Sequence, residues 1–418
     1  MSEPVLACAE VVTEVRGRLG CITLNRPRAL NALSLPMVRA LVSVLLVWRE
    51  DERVQAVAIR GMGKDGPFGA FCAGGDIRFF HQAVLAANAE LEDFFTEEYS
   101  LNHLIHHYPK PYIAFMDGIV MGGGMGLCQG GALADPVGEC ESTGRASPSV
   151  RAQGGALADP VGECEGTGRA SPSVRLSAPR LRIVTSRTRM AMPETQIGLF
   201  PDVGGGWFLA RCLGHGGEWL ALTSEVIGAG EALALQLADA CFDPIRLGEA
   251  WDALTLLQRF DMDSLQAWQA TYAIAAPASA LPLETINRCF GQPDVLRIVQ
   301  ALEREPSDWA ANTIKALRTH SPLLLQVTLE QIRRGVSMSL ADELRMERDM
   351  VRHCFNARHL ERFMTATDTM EGIRALVIDK DRAPKWNPPS LEEVTPEMVA
   401  GFFVSPWPAH AHPLRELN

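Results

Sequence analysis

Short segments with high β propensity alternate with helical patterns in the first part of this 418-residue chain. Gly20–Leu24 and Val57–Gly61 are β-rich and end in turn residues, and Leu35–Asp51 between them carries apolar residues at helical spacing. Tyr112–Phe115 is a third β-rich segment. This order of strand, helix, strand, helix and strand predicts an α/β layer structure. From about residue 214 onward helical patterns dominate, so we expect an α/β front and a helical rear.

A direct repeat interrupts this pattern. Gln129–Arg151 and Gln153–Arg175 differ only in having Ser142 in one copy and Gly166 in the other, and the second copy starts 24 residues after the first. The unit is rich in Gly, Pro, Ser and Ala and shows neither helical nor strand periodicity. Two copies are too few for a solenoid, which needs about three or more repeats to bury a shared face. We therefore predict that residues 128–181 form a disordered insertion.

The charge pattern and the first residues argue against several classes of protein. The formal net charge is -11 and the basic residues are scattered, which disfavours nucleic acid and anionic membranes as partners. No segment approaches the roughly 18–20 apolar residues of a membrane span. Met1–Gly17 lacks the features of a signal or transit peptide, and the ten cysteines form no CxxC pair. These observations predict a cytoplasmic protein with reduced thiols.

The motifs of several common cofactor sites are missing from the sequence. Gly61–Gly66 (GMGKDG) does not complete a P-loop, and Gly122–Gly126 lacks the spacing of a dinucleotide fingerprint. No G-x-S-x-G nucleophile elbow occurs. His103, His106 and His107 share a helical segment without a supporting carboxylate. We therefore expect neither a metal site nor a redox cofactor.

Two glycine-rich segments are typical of helix entrances that bind a ligand through the backbone. Phe71–Arg78 (FCAGGDIR) and Met121–Leu127 (MGGGMGL) each place glycines before a helical pattern. Glycine lets a ligand approach the backbone closely, and the first N–H groups of a helix lack intrahelical acceptors. Two such entrances aimed at one carbonyl oxygen would form an oxyanion hole. Each segment taken alone favours an ordinary tight turn.

Two acidic residues stand in an apolar segment, Met190–Trp207 (MAMPETQIGLFPDVGGGW). Glu194 and Asp202 each follow a proline and have Met, Ile, Leu, Phe and Val as neighbours. A carboxyl that loses hydration has a raised pKa, which suits a general base. An alternative for Asp202 is that it caps the helix that follows.

Taken together these segments resemble the crotonase (enoyl-CoA hydratase/isomerase) superfamily. The PET…FPDVGGG pattern is similar to the 3-hydroxyisobutyryl-CoA hydrolase branch, as are two segments of the rear. The segments that carry the resemblance are Gly20–Leu33, Phe71–Arg78, Met121–Leu127, Met192–Arg211, Ser321–Gly335 and Glu371–Pro388.

The resemblance implies a fold class and a domain organisation. We expect an α/β crotonase-type core of repeated β-β-α units over residues 1–281. A helical C-terminal region should follow over 282–390, completing the site or packing on a neighbour. Residues 391–418 should form a terminal segment, with a loose tail from Pro406 to Asn418.

The resemblance also implies roles for individual residues. The backbone N–H groups of Gly75 and Gly123 would form the oxyanion hole. Asp76 would open its helix and lie beside the thioester. Glu194 would be the catalytic glutamate, and Asp202 the second carboxylate of the hydrolase branch.

Three further positions follow from the resemblance. Glu98 matches a position that contacts substrate, and Asn31 lies in the segment that lines the CoA groove. Gly126 stands where two-glutamate hydratases carry one of their two acids. The hydrolase branch also has glycine there, so Gly126 favours thioester hydrolysis.

The activity implied is hydrolysis of a small 3-hydroxyacyl-CoA, with 3-hydroxyisobutyryl-CoA of valine catabolism as the leading substrate. CoA is part of that substrate, no separate cofactor is implied, and a homo-oligomer is compatible with the family. Whether Glu194 acts as base or nucleophile stays open. One alternative is an enoyl-CoA hydratase or isomerase. Another is a CoA-binding relative with impaired catalysis, because Gly130, Gly131 and Pro136 would end the helix that starts at Gly123 early.

Overall fold

The computed structural model describes residues 8–129 and 178–418, and a mixed sheet lies at its centre. The strand order is β1-β2-β3-β5-β7-β9, with β4 paired to β3. β1 is antiparallel to β2, and the pairs from β2 to β9 along this order are parallel. β6 and β8 form a separate parallel pair, and β10 and β11 an antiparallel one. The strands are β1 (Val11–Arg16), β2 (Leu19–Leu24), β3 (Ala56–Gly63), β4 (Gly66–Pro67), β5 (Tyr112–Met116), β6 (Ile119–Met121), β7 (Arg180–Thr185), β8 (Arg189–Ala191), β9 (Ala240–Phe242), β10 (Asn356–Ala357) and β11 (Arg362–Phe363).

Helices follow the early strands and fill the rear of the molecule, which confirms the predicted α/β front and helical rear. Their bounds are α1 (Leu35–Glu50), α2 (Ile77–Leu85), α3 (Glu90–His106), α4 (Gly123–Gly126), α5 (Gly205–Leu209), α6 (Gly216–Thr223), α7 (Ala229–Ala234), α8 (Leu247–Thr255), α9 (Met262–Tyr272), α10 (Leu283–Phe290), α11 (Val295–Leu302), α12 (Asp308–Thr319), α13 (Pro322–Gly335), α14 (Leu340–Phe355), α15 (Asp368–Ile373) and α16 (Pro396–Ala400).

Alternate side chains of each strand point to opposite sides of the sheet. Both faces of the sheet are buried, each by its own hydrophobic cluster. In β3, Ala56 and Ala58 pack with one cluster and Val57 and Ile59 with the other. Helices α8 and α9 cover the first face, where Trp251 is buried. The other face carries the larger cluster, which includes side chains of α1, α3 and most of the rear helices.

The rear helices share this larger core with the α/β part. α13 packs on α5 and α6, and α14 packs on α3. The predicted domain boundary at residue 281 stays a prediction. Buried side chains from before and after this residue belong to one hydrophobic cluster. The expected loose tail is wrong: Leu414 is buried, and the Arg345 Nε donates to its carbonyl oxygen at 3.2 Å.

The structure also corrects the bounds of the predicted insertion at 128–181. Cys128 and Gln129 are buried, and β7 begins at Arg180. The Gln129 side chain donates to the Leu237 carbonyl oxygen at 2.9 Å and accepts from Arg182 at 2.6 Å. These residues therefore belong to the folded core, whereas the prediction of disorder for 130–177 falls outside the described residues.

None of the helices within the two described ranges combines the length and apolarity needed to cross a membrane.

Candidate active site

A short ladder of backbone contacts brings the two glycine-rich turns together. Leu33 bridges to Gly75, and Cys72 bridges to Val120 of β6. The Met121 N–H donates to the Cys72 carbonyl oxygen at 2.9 Å. A Cβ atom on Gly123 would lie 3.5 Å from the Gly75 nitrogen. The two turns that the sequence singles out are therefore direct neighbours.

The backbone amides of Gly75 and Gly123 are both available to a ligand. Neither N–H donates a hydrogen bond to any acceptor in the part of the chain that the structure describes. There is no space for a side chain at either position, since a Cβ on Gly75 would lie 2.7 Å from Phe80 and one on Gly123 would lie 2.4 Å from the Glu98 Oε1. An oxyanion hole requires two such free amides on neighbouring turns, and that role for Gly75 and Gly123 stays a prediction.

Two thiols lie under these turns. The Cys72 Sγ accepts from the Gly74 N–H at 3.4 Å, and the Cys128 Sγ donates to the Gly124 carbonyl oxygen at 2.9 Å. Both residues are buried, and burial raises the pKa of the Cys72 thiol to about 12 and that of Cys128 well above its ordinary value.

Pairing of β6 with β8 carries Glu194 to the same place. The Gly122 N–H donates to the carbonyl oxygen of Ala191, at the end of β8, at 3.2 Å, and Glu194 opens the 3-10 helix that follows. A Cβ on Gly122 would lie 2.5 Å from the Glu194 Oε1. The Glu194 Oε2 is buried and has no hydrogen-bond partner among the described residues. Burial, reinforced by the charge of Asp202, raises the pKa of Glu194 well above its ordinary value, as a general base requires.

Asp202 uses its side chain for the site and not for capping. Its Oδ2 accepts a 2.9 Å hydrogen bond from the Tyr99 hydroxyl. The N-cap residue of helix α5 is Gly204, not Asp202, so the capping alternative for Asp202 is wrong. Burial raises the pKa of Asp202 to about 6, and the hydrogen bond from Tyr99 opposes that rise.

Helix α3 contributes Glu98 and two residues that sequence reasoning missed, Tyr99 and Asn102. Glu98 Oε1 is buried beside Gly123 without a partner in the described ranges. Burial, then the charges of Asp202 and Glu194, raise the pKa of Glu98. Asn102 is buried with neither amide atom paired to a described residue. Its spacing of four from Glu98 places both on one helix face, which is the signal that the sequence offered.

Gly126 has no space for the second acid of a hydratase. A Cβ there would lie 2.7 Å from the Val203 Cβ and 2.8 Å from the Asn102 Nδ2. A glutamate at this position would require both neighbours to move, so the packing agrees with the glycine that the sequence carries.

Asp76 and Asn31 have structural partners. The Asp76 side chain caps α2 by accepting from the Phe79 N–H at 3.3 Å, and it also accepts from Arg26 at 2.8 Å. Asn31 is fully buried: its Oδ1 accepts from the Arg26 N–H at 2.8 Å, and its Nδ2 donates to the carbonyl oxygens of Met62 and Ala70. Its amide therefore fixes the backbone of its own segment, and the lining of the CoA groove by that segment stays a prediction.

Helix α4 ends after Gly126, as the sequence predicted for a helix shortened by the insertion. Gly123 is nevertheless supported by strand pairing on both sides, through Cys72 and Ala191. The short helix thus leaves the second amide donor in place.

Within residues 8–129 and 178–418, no three His, Cys, Asp or Glu side chains are grouped so that they could hold a metal ion.

Comparison with known proteins gives one consistent family. The profile of the family described as enoyl-CoA hydratase/isomerase matches residues 19–134 and 175–403. The 3-hydroxyisobutyryl-CoA hydrolase, mitochondrial, of Rattus norvegicus is 34% identical over 404 residues, covering 95% of this chain and 89% of the relative. The protein of that name from Homo sapiens is 33% identical, with 97% and 91% covered.

Two solved structures extend the match to the whole fold. The crystal structure of a carnitinyl-CoA dehydratase from Mycobacterium thermoresistibile has a TM-score of 0.76 at 32% identity, covering 98% of this chain and 99% of the other. An enoyl-CoA hydratase from Rhodobacter sphaeroides has a TM-score of 0.73 at 33% identity, with 95% and 98% covered.

Proposed function

This chain belongs to the enoyl-CoA hydratase/isomerase family, and from that membership we propose that it hydrolyses a small 3-hydroxyacyl-CoA thioester. The leading substrate is 3-hydroxyisobutyryl-CoA, which gives CoA and 3-hydroxyisobutyrate, a step of valine catabolism. The single observation that carries the choice is the similarity to the named hydrolases over at least 89% of their length. Glu194 beside two unpaired glycine amides supports the same chemistry.

The thioester carbonyl oxygen binds between the Gly75 and Gly123 amides. Charge develops on this oxygen as the carbonyl carbon becomes tetrahedral, and donors fixed in advance stabilise it without reorganising. Removal of one such donor typically costs about 3–4 kcal/mol of transition-state stabilisation. The backbone ladder that supports both turns fixes these donors.

Glu194 drives the attack on the carbonyl carbon. As a general base, its carboxylate takes a proton from water while the water oxygen bonds to the carbonyl carbon; the C–S bond then breaks and CoA leaves as a thiolate that takes up a proton. As a nucleophile, the same carboxylate forms a mixed anhydride that water opens. Both routes require ionised Glu194, so its raised pKa sets the low-pH limb of activity.

Asp202 and Glu98 bind the acyl group. Asp202 accepts from Tyr99 through one oxygen, which leaves its other oxygen for the 3-hydroxyl of the substrate. The Glu98 Oε1 stands unpaired beside the Gly123 donor, where the acyl carbon chain begins. A hydroxyl at carbon 3 would provide the polar partner that these buried groups lack.

The second candidate is a hydratase, favoured by the names of the two solved structures. Hydration across a double bond in the two-glutamate enzymes needs an acid at the position of Gly126, where Val203 and Asn102 leave no space. We expect crotonyl-CoA absorbance to stay at the background rate. Loss of absorbance well above background would favour the hydratase.

The test is release of free CoA from 3-hydroxyisobutyryl-CoA, followed with a thiol reagent. Wild-type protein should turn over, and Glu194→Gln should abolish turnover. Glu50→Gln is the matched control, because Glu50 has a side chain that is 75% exposed and pairs with Arg49 on the surface. Equal CoA release by wild type and Glu194→Gln would reject the role of Glu194. No release by wild type would favour the impaired CoA-binding relative.

Cofactor, assembly and compartment are part of the proposal. Hydrolysis needs only water and the carboxylates, so turnover should persist after dialysis against a chelator. A homo-oligomer is compatible with the family and is tested by the mass of the protein in solution. The sequence predicts a cytoplasmic location, whereas the vertebrate relatives are named mitochondrial, so cell fractionation should decide the compartment.

A further inference from the structure

A second pair of buried carboxyls lies behind the loop that carries Asp202. Glu343 and Glu347 are four residues apart on α14, so they share one helix face, and both are completely buried. That face packs on the loop between Pro201 and Gly206. Gln331 of α13 completes the contact by donating to the Pro201 carbonyl oxygen at 2.7 Å.

Glu347 holds the loop through its two oxygens. The Gly204 N–H donates to Oε2 at 2.8 Å, and the Gly206 N–H donates to Oε1 at 3.2 Å. Gln331 Nε2 also donates to Oε1, at 3.1 Å. The two glycine amides belong to the start of α5, where backbone N–H groups have no intrahelical acceptor. A side chain more than 140 residues away along the chain therefore caps this helix.

The glycines of the loop leave the space that the two carboxyls occupy. Gly204 has φ of +85°, a conformation that glycine adopts without strain. A Cβ on Gly206 would lie 2.2 Å from the Glu343 Oε1 and 3.0 Å from Gln331. The GGG run thus lets the backbone approach the two carboxyls closely.

Two carboxyls this close in an apolar core do not both ionise. Burial raises the pKa of each, and for Glu347 the charge of Glu343 adds to the rise. The three N–H groups that Glu347 accepts stabilise one negative charge on the pair, and the two carboxyls share the remaining proton.

We propose that Glu347 and Glu343 are positioning residues for thioester hydrolysis, a pair sharing one proton that fixes Gly204 and Gly206 and so holds Asp202 against Tyr99. The proposal rests on the proposed function for its catalytic readout. It assigns to the C-terminal helices a part in the site that neither the glycine turns nor Glu194 reveal. A misplacement of about 1 Å near reacting atoms costs on the order of a hundredfold in rate, so the fixing of this loop bears directly on turnover.

The charge on Glu347 also acts on Asp202. The titratable groups that face the pair, within the described residues, are Asp202 from the loop and Tyr99 from α3. The charge of Asp202 adds to the rise in pKa of both carboxyls. Because repulsion between like charges is mutual, removal of the charge on the pair should let Asp202 ionise at lower pH.

The experiment compares Glu347→Ala, Glu347→Gln and Glu343→Gln in the full chain, with Glu330→Gln as control. Glu330 lies on the neighbouring α13, has a side chain that is 40% exposed and pairs with Arg334. Readouts are kcat and KM for the CoA ester, the pH profile of kcat, and hydrogen exchange of the peptide that contains Gly204 and Gly206.

We expect Glu347→Ala to lower kcat about a hundredfold, with KM changed less, and to speed exchange of the loop amides. Glu347→Gln, which keeps the shape but only one acceptor oxygen, should lower kcat about tenfold and move the limb due to Asp202 to lower pH. Glu343→Gln should lower kcat less than Glu347→Gln does, since it is Glu347 that accepts the Gly204 and Gly206 amides.

Wild-type kcat in Glu347→Ala, or equal losses in Glu343→Gln and Glu347→Gln, would overturn the proposal. If Glu347→Ala does not fold, the isosteric pair of Gln variants decides by the same criterion. If wild type releases no CoA, the proposed function fails; exchange of the loop amides then still tests the pair, and unchanged exchange in Glu347→Gln would reject it.

Discussion

Buried carboxyls occur on both sides of the loop from Pro201 to Gly206, and the two sets differ in how they are bonded. On the α/β side, Glu98 and Glu194 each keep one buried oxygen without a partner among the described residues. On the helical side, both oxygens of Glu347 accept N–H groups, whereas the Glu343 Oε2 has no partner among the described residues. A buried polar atom left unpaired costs free energy. Beside the unpaired glycine amides, the free oxygens of Glu98 and Glu194 indicate a place for a ligand, whereas the hydrogen bonds of Glu347 indicate a structural role.

The largest expected effect is a fall in kcat. Measured together with the melting temperature of the same variant, it distinguishes the two sets of carboxyls. Glu194→Gln should lower kcat about a thousandfold, the range typical of a lost general base. Its melting temperature should stay the same or rise, because the substitution removes a buried ionisable group that no protein donor stabilises. The measurements are thermal unfolding and the CoA-release assay, both on this variant and on wild type. A matching fall in melting temperature would assign Glu194 a structural role like that of Glu347.

The next effect concerns pH and stability. Asp202 has a pKa of about 6 in the folded protein against an ordinary value of 3.8, so folding favours its protonated form. The stability it contributes is present below about pH 3.8 and is lost as pH rises through 6, by about 3 kcal/mol for a shift of two units. Asp202→Asn should therefore gain in melting temperature relative to wild type between pH 4 and 7. A difference that does not change with pH would contradict this.

A smaller effect tests the bond that joins the loop to α3. Tyr99→Phe removes the hydroxyl that donates to Asp202. Loss of a buried partner should destabilise the protein by about 1–3 kcal/mol. The pKa of Asp202 should rise further, since that hydrogen bond holds it down, and kcat should fall about tenfold. The pH profile of kcat is the decisive measurement, and a limb unmoved from wild type would show that Tyr99 does not tune Asp202.

The smallest effect is expected from removing one copy of the repeat, residues 153–176. Both sets of carboxyls should be unaffected, because Gln129 and Arg182 bond to each other and close the core on either side of 130–177. Halving the length of a connecting segment changes its loop-closure free energy by only about 0.6 kcal/mol. Melting temperature and kcat/KM should therefore match the full chain, and a clear loss of either would show that the repeat contributes to the fold or to the site.

The sequence predicted the parts of the site that depend on local chemistry. Gly75, Gly123, Glu194 and Asp202 lie in short motifs whose residue types indicate the local backbone structure. Strand pairing then brings these motifs together. Their roles in catalysis stay predictions until the variants are measured.

What the sequence did not predict depends on partners distant along the chain. Asn31 lies in the segment predicted to line the CoA groove, and its side-chain amide donates to the carbonyl oxygens of Met62 and Ala70. The charged residues of α14 indicate a solvated face, yet Glu343 and Glu347 are buried, and Gly204 and Gly206 supply donors to Glu347 from far along the chain. No local pattern records such a pairing.

The thiols under the glycine turns have a consequence for chemical reactivity. Loss of water from a 3-hydroxyacyl-CoA gives an α,β-unsaturated thioester, an electrophile that alkylates thiolates. Cys72 and Cys128 lie next to the proposed site, but they are buried and their raised pKa values keep them protonated at neutral pH. We expect this site to survive exposure to the dehydrated form of its own substrate.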